Sequence, residues 1–187
     1  MNARDTLILA ALKVLEEGGE ATFSTRSVLS IAGLSAPTLY HHFGNADGLL
    51  SAATTVAFEQ FLNRKYAAEQ GDDASAALTN GWDDYVLFAA ERPRLYAAML
   101  SRVLAGGEIP AARQAFDLLR IQLRRIEVDG QLATDVESAA DWMWASVNSA
   151  SLLFVTAHLR GSKTPTNNVL KSLRDGSLNA ILRQQKD

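Results

Sequence analysis

Apolar residues recur at three- and four-residue spacing along almost the whole chain, with glycine or proline at the breaks, and this pattern favours helix nearly everywhere. Leu7, Ala10, Ala11, Val14 and Leu15 carry it through a first helix that Gly18-Gly19 closes. The valine, isoleucine and threonine alternation that builds strands is scarce, so the expected fold class is all-α. Ser24 and Ser35 are N-cap candidates for two short helices ending near Ala32-Gly33 and Phe43-Gly44, and Asn45 for a long one running toward Glu69. Further helices are predicted near 74–91, 93–104, 110–128, 134–160 and 166–185. Pro93 and Pro110 fall where a missing N–H costs nothing, and Gly71, Gly106-Gly107, Gly130 and Gly161 fall between helices.

Composition narrows the function. The chain has 187 residues, of which 48% are apolar, enough to bury a core. Its formal net charge of −3 argues against indiscriminate binding of nucleic acid over the whole surface, so any such contact is local. Without cysteine there are no disulfides, thiolate metal sites or cysteine nucleophiles. The first residues lack a signal-peptide cleavage site, and no apolar run approaches the roughly 20 residues that cross a bilayer. A soluble, cytoplasmic protein with no membrane contact is expected. No nucleophile elbow, P-loop, dinucleotide fingerprint or H-E-x-x-H motif occurs, so neither an enzyme nor a bound cofactor is expected.

Two short helices joined by a tight glycine-containing turn, the second opening S-x-x-T, can project a helix into a DNA major groove. Thr25-Arg26, Ala32-Gly33-Leu34-Ser35, Thr38-Leu39-Tyr40, His42-Phe43 and Leu49-Leu50 together resemble the N-terminal domain of the TetR family of transcriptional regulators. The resemblance spans about the first fifty residues. It implies a homodimer whose paired helix–turn–helix domains bind a double-stranded DNA operator, with C-terminal helical domains that bind a small effector. The recognition helix it implies is Ala36 to His42.

Side-chain chemistry suggests the contacts. Thr38 and Tyr40 carry hydroxyls that donate to phosphate oxygens, and Pro37 offers its ring to a thymine methyl. Arg26 and His41 can reach a phosphate or a base edge, and the helix starts near Ser24-Thr25 and Asn45-Ala46 present amides to anions. The expected DNA-contacting set is Thr25, Arg26, Ala36, Pro37, Thr38, Tyr40, His41, His42 and Asn45. Leu29, Ile31, Leu34, Leu39 and Phe43 are expected in the core and His42 at intermediate depth. The lysine that many members of that family carry near the start of the connecting helix is replaced by Ala46. Residues 1–50 hold Arg4, Lys13 and Arg26 against Asp5, Glu16, Glu17, Glu20 and Asp47. That acidic balance favours the competing reading, a helical ligand-binding or adaptor protein that has lost DNA binding.

The His41-His42 pair lacks a third ligand at helical spacing, so no metal site is assigned. Capping and solvation account for Asp72-Asp73 and Asp83-Asp84. Trp82, Tyr85, Phe88, Tyr96, Met99, Phe116 and Trp142 are candidates to line a cleft for an apolar or aromatic effector, with Asn148 or Tyr85 as polar anchor. The helix near 134–160 is apolar all round, and with its amphipathic neighbour near 166–185 it suggests a four-helix dimer interface. The expected division is a helix–turn–helix domain over 1–48 and an effector-binding and dimerisation domain over 49–187, joined by the long helix.

Overall fold

The computed structural model describes residues 2–68, 73–106 and 109–183. Among them the chain is all-α, with nine α-helices and two short 3₁₀ turns. In chain order the helices are α1 (Ala3–Gly18), α2 (Thr25–Ala32), α3 (Ala36–Phe43), α4 (Ala46–Ala68) and α5 (Ala74–Glu91). They continue with α6 (Pro93–Leu104), α7 (Pro110–Val128), α8 (Val136–Val155) and α9 (Asn167–Ile181). The periodicity and punctuation of the sequence thus locate every one of these helices. Two expected ends are too long. The stretch to 160 leaves α-geometry at Val155 for a 3₁₀ turn, Ala157–Arg160, and the last helix stops at Ile181 instead of 185. Glu69, where the long helix is expected to end, and Gly71, Asp72 and Gly107, named above, lie outside the described residues, as does everything beyond 183. No described helix is long and apolar enough to cross a membrane.

Two compact units divide the chain: residues 1–61 with 92–112, and residues 62–91 with 113–187. In the first, Leu7, Ala11 and Leu15 of α1 are fully buried together with Val28 of α2, Leu39 of α3 and Leu49 and Ala53 of α4. The three-residue and four-residue steps of α1 put those side chains on one face, and α2, α3 and α6 pack against that helix. Leu95, Tyr96 and Met99 on α6 are buried as well. The first unit therefore takes in a helix from well along the chain. Arg92 lies 3.4 Å from Glu16, and Arg94 donates to the Glu17 carbonyl.

The second unit is built on α5, α7, α8 and α9. Leu78, Trp82 and Val86 of α5, Leu123 and Ile126 of α7, Met143 and Val147 of α8 and Ile181 of α9 share one core. Polar contacts fix the register of α5 on α8: the Trp82 indole N–H donates to Ser146 Oγ at 3.0 Å. Asp73 caps α5 by accepting the Ser75 and Ala76 amides at 2.9 and 3.0 Å, and Asp135 caps α8 through the Ser138 amide at 2.9 Å. The Ser138 hydrogen bonds, the backbone one first, hold the Asp135 carboxyl below the usual carboxylate range. The end of α9 is tied back by Ala133 N–H to Ile181 carbonyl (2.7 Å) and Arg183 N–H to Gln131 carbonyl (2.8 Å).

Candidate nucleic-acid interface and effector cleft

In the first unit α2 and α3 form a helix–turn–helix. Ser24 Oγ accepts the Ser27 amide and Ser27 Oγ accepts the Ser24 amide, both at 3.0 Å, a reciprocal cap that fixes where α2 begins. Gly33 then turns the chain in the left-handed region, φ 64°, which a side chain would resist. Pro37 sits in the first turn of α3, where its missing N–H leaves no gap, and Ser35 Oγ lies 2.9 Å from Thr38 Oγ1.

Leu39 anchors α3 and decides what that helix presents. It is fully buried, whereas Tyr40 beside it is 50% exposed. Successive helical side chains point about 100° apart, so seating Leu39 inward turns its neighbours outward. Pro37, His41 and His42 are exposed, and Ala36 and Thr38 are half-buried. Thr25 is half-buried and Arg26 exposed in the first turn of α2; Asn45 is exposed, its side-chain oxygen accepting the Gly48 amide at 2.8 Å. The nine expected contact residues thus lie on three segments: the start of α2, all of α3 and the cap of α4.

Several depth expectations fail here. Ile31 is 44% exposed, and Val28 takes the interior place on α2. Leu29, Leu34 and Phe43 are half-buried, and His42 is exposed. Helices of eight residues enclose only one side chain each on this scale, because most of their surface borders solvent. Phe43 is covered partly by the Arg4 guanidinium, 5.7 Å from its ring centre. The His41 and His42 rings meet edge-on at 5.1 Å, and no group of three metal-capable side chains occurs among the described residues.

One residue at this end was missed by sequence reasoning. Arg102 of α6 grips Asp47 in the first turn of α4 with two bonds, 2.5 and 2.7 Å, and reaches Ser51 Oγ at 2.5 Å. That hydrogen bonding holds the Asp47 carboxyl below its usual range against a smaller opposing effect of desolvation. Over fifty residues separate the partners, so no local pattern reveals the pair.

The expected effector residues are divided between the two units. Tyr96 and Met99 belong to the first unit; Trp82, Tyr85, Phe88, Phe116, Trp142 and Asn148 belong to the second. Tyr85 Oη donates to Asn148 Oδ1 at 3.2 Å and Asn148 donates to the Trp144 carbonyl at 2.8 Å, so the two proposed anchors, both half-buried, bond each other. Trp144 completes edge-on contacts with Tyr85 (6.1 Å) and Phe116 (5.7 Å). Trp142 is 54% exposed on the opposite side of α8. A cleft of about 600 Å³ opens elsewhere on the second unit, and of the expected residues it includes Trp82. Its walls are apolar at Val86, Leu87, Phe154 and Leu170, and polar at Asp83, Asp84 and Asn167.

Comparison with known proteins agrees with this geometry. Residues 7–53 match the family described as bacterial regulatory proteins, tetR family. The HTH-type transcriptional regulator BetI of Stenotrophomonas maltophilia (strain R551-3) is 35% identical over 72 residues, 37% of this chain and 37% of that protein. The chain thus matches little more than a third of that curated relative's length. A protein with unknown function from Rhodococcus sp. RHA1 has the same fold, with a TM-score of 0.80 at 22% identity over 98% of this chain and 97% of that one. A TetR family transcription regulator from Marinobacter aquaeolei VT8 gives 0.73 at 19% identity over 97% and 96%. At these identities the structures speak for the fold. The matched residues run from α1 through the helix–turn–helix into α4, so over that stretch this chain is similar to the tetR family of bacterial regulatory proteins.

Proposed function

We propose that this protein is a sequence-specific DNA-binding transcriptional regulator, a homodimeric repressor released from its operator by a small-molecule effector. One observation carries the reading: α3 is pinned by Leu39 while Pro37, Tyr40 and His41 stand free of the core. A helix that served packing alone has no reason to leave an aromatic ring half exposed. In this reading Thr38 and Tyr40 bond phosphates, Pro37 meets a thymine methyl, and Arg26 and His41 reach a phosphate or base edge. Thr25, Ala36, His42 and Asn45 border the contact, and residues 1–48 form the DNA-binding domain.

The partner is a second copy of the chain. Trp142, Ala145, Ser149 and Leu152 recur at three- and four-residue steps on the exposed side of α8, opposite buried Met143, Val147 and Ala150. The large apolar groups flank two small ones, a surface that suits close approach of a like helix. Residues 49–187 thus supply dimerisation and the effector site. Two recognition helices must sit about 34–36 Å apart to enter successive major grooves. An effector that prefers another spacing weakens operator binding by its differential affinity for the two states, commonly 1–3 kcal/mol.

Selection of bound duplexes from random DNA, followed by anisotropy titration of the enriched sequence, tests the reading. An enriched site bound far more tightly than scrambled DNA is the expected result. Enrichment of no sequence, with equal affinity for every duplex offered, would favour the adaptor reading that the acidic N-terminal balance supports.

A further inference from the structure

We propose that the cleft of the second unit takes a small organic cation with an apolar or aromatic body, its charge seated at Asp84. The proposal rests on the effector reading above and names the chemical class of that ligand. Asp83 and Asp84 are adjacent in sequence, and both border the cleft, yet their situations differ. Asp83 is already answered: Arg174 of α9 donates to its carboxylate at 2.6 Å and also holds Asp175 at 3.0 Å. The Asp84 side chain is half-buried and makes neither an ion pair nor a hydrogen bond among the described residues. No lysine or arginine side chain lines the cleft.

The Asp84 carboxylate borders the cleft's apolar walls without a cationic partner, and a cation seated against it supplies the opposite charge. An anion there meets like charge, and a neutral ligand leaves the carboxylate uncompensated. Around Asp84 the walls are Trp82, Val86, Leu87, Phe154 and Leu170. They suit an apolar body, and an aromatic face near a cation adds attraction of its own. The volume of about 600 Å³ falls within the range of small-ligand pockets. With Asp83 held by Arg174, Asp84 is the charged group of the lining left to select by charge.

Three ligands that share one body and differ in charge test this: 4-phenylbutylamine, 4-phenylbutanol and 4-phenylbutanoate, titrated calorimetrically into the full-length protein at pH 7 without DNA. The amine is expected to bind about tenfold more tightly than the alcohol, with the carboxylate weakest. Asp84→Asn should equalise amine and alcohol, and Leu87→Arg, a change at a position 53% exposed, should weaken the amine while helicity is retained. Equal affinity of amine and alcohol for the unaltered protein, a preference that survives Asp84→Asn, or no binding of any of the three overturns the proposal. Because no duplex is present, failure of the DNA-binding reading leaves these titrations unaffected, and the two ideas fall separately.

Discussion

Arg102 and Asp47 form a two-pronged ion pair that ties the last turn of α6 to the first turn of α4. An acid in a first helical turn suits the helix dipole but opposes a phosphate nearby, and the guanidinium cancels that opposition. The folded carboxyl sits below its ordinary range, so the pair's stabilisation is fully present above the unfolded value and fades as pH falls through the lowered one. Asp47→Asn should cost less than about 1 kcal/mol at pH 7, since the pair reaches solvent, and the gap to the unaltered protein should close in acid. Urea denaturation over a pH series measures it; equal stability at pH 7 counts against the pair.

Tyr40→Phe and Thr38→Ala remove one hydroxyl each from α3. Each should weaken operator binding by roughly three- to tenfold, with circular dichroism and oligomeric state unchanged. Unaltered affinity in both variants would move the contact surface away from α3.

Few charged side chains are left to meet phosphates. Arg92, Arg94 and Arg102 are each engaged with Glu16, Glu17 or Asp47 of the same unit. If the dimer neutralises about four to six phosphates, log K against log salt should fall with a slope of about −4 to −5. Anisotropy titrations at several salt concentrations give the slope, and a value steeper than about −8 would mean that a basic surface has been overlooked.

Gly48 lies in the first turn of α4, where a Cβ would stand 2.1 Å from the Phe43 carbonyl oxygen. Backbone, not a flexible side chain, is the obstacle. Gly48→Ala should therefore destabilise the first unit by about 1–3 kcal/mol despite alanine's higher helix propensity. A thermal or chemical denaturation curve equal to that of the unaltered protein would show that α3 and α4 can separate there freely.

Trp142→Glu and Leu152→Glu each place a charge on the exposed face of α8. Sedimentation should report a shift from dimer to monomer with helicity retained, and operator affinity should fall with it. A variant that stays dimeric would put the interface on another face.

Much of this could be read from residues near one another in sequence. Ser24, Gly33 and Asn45 set helix boundaries through bonds or torsions that reach only three or four residues, so the pattern that names them also fixes their role. The same holds for Leu39, whose position on a short amphipathic helix dictates that Tyr40 faces out. Reasoning by hydrophobicity alone misplaced Ile31 and Trp142, because each is apolar but lies on a face that the other described residues cover only in part. Sequence assigned Asp83 and Asp84 together to a solvated surface. Only packing gave one of them to Arg174, 91 residues away, and left the other in a cleft. Local chemistry thus determined the helices and the outward turn of α3, since caps and periodicity act over a few residues. Which charges pair and where a cavity opens were decided by helices meeting across long separations, where no spacing rule specifies the partner.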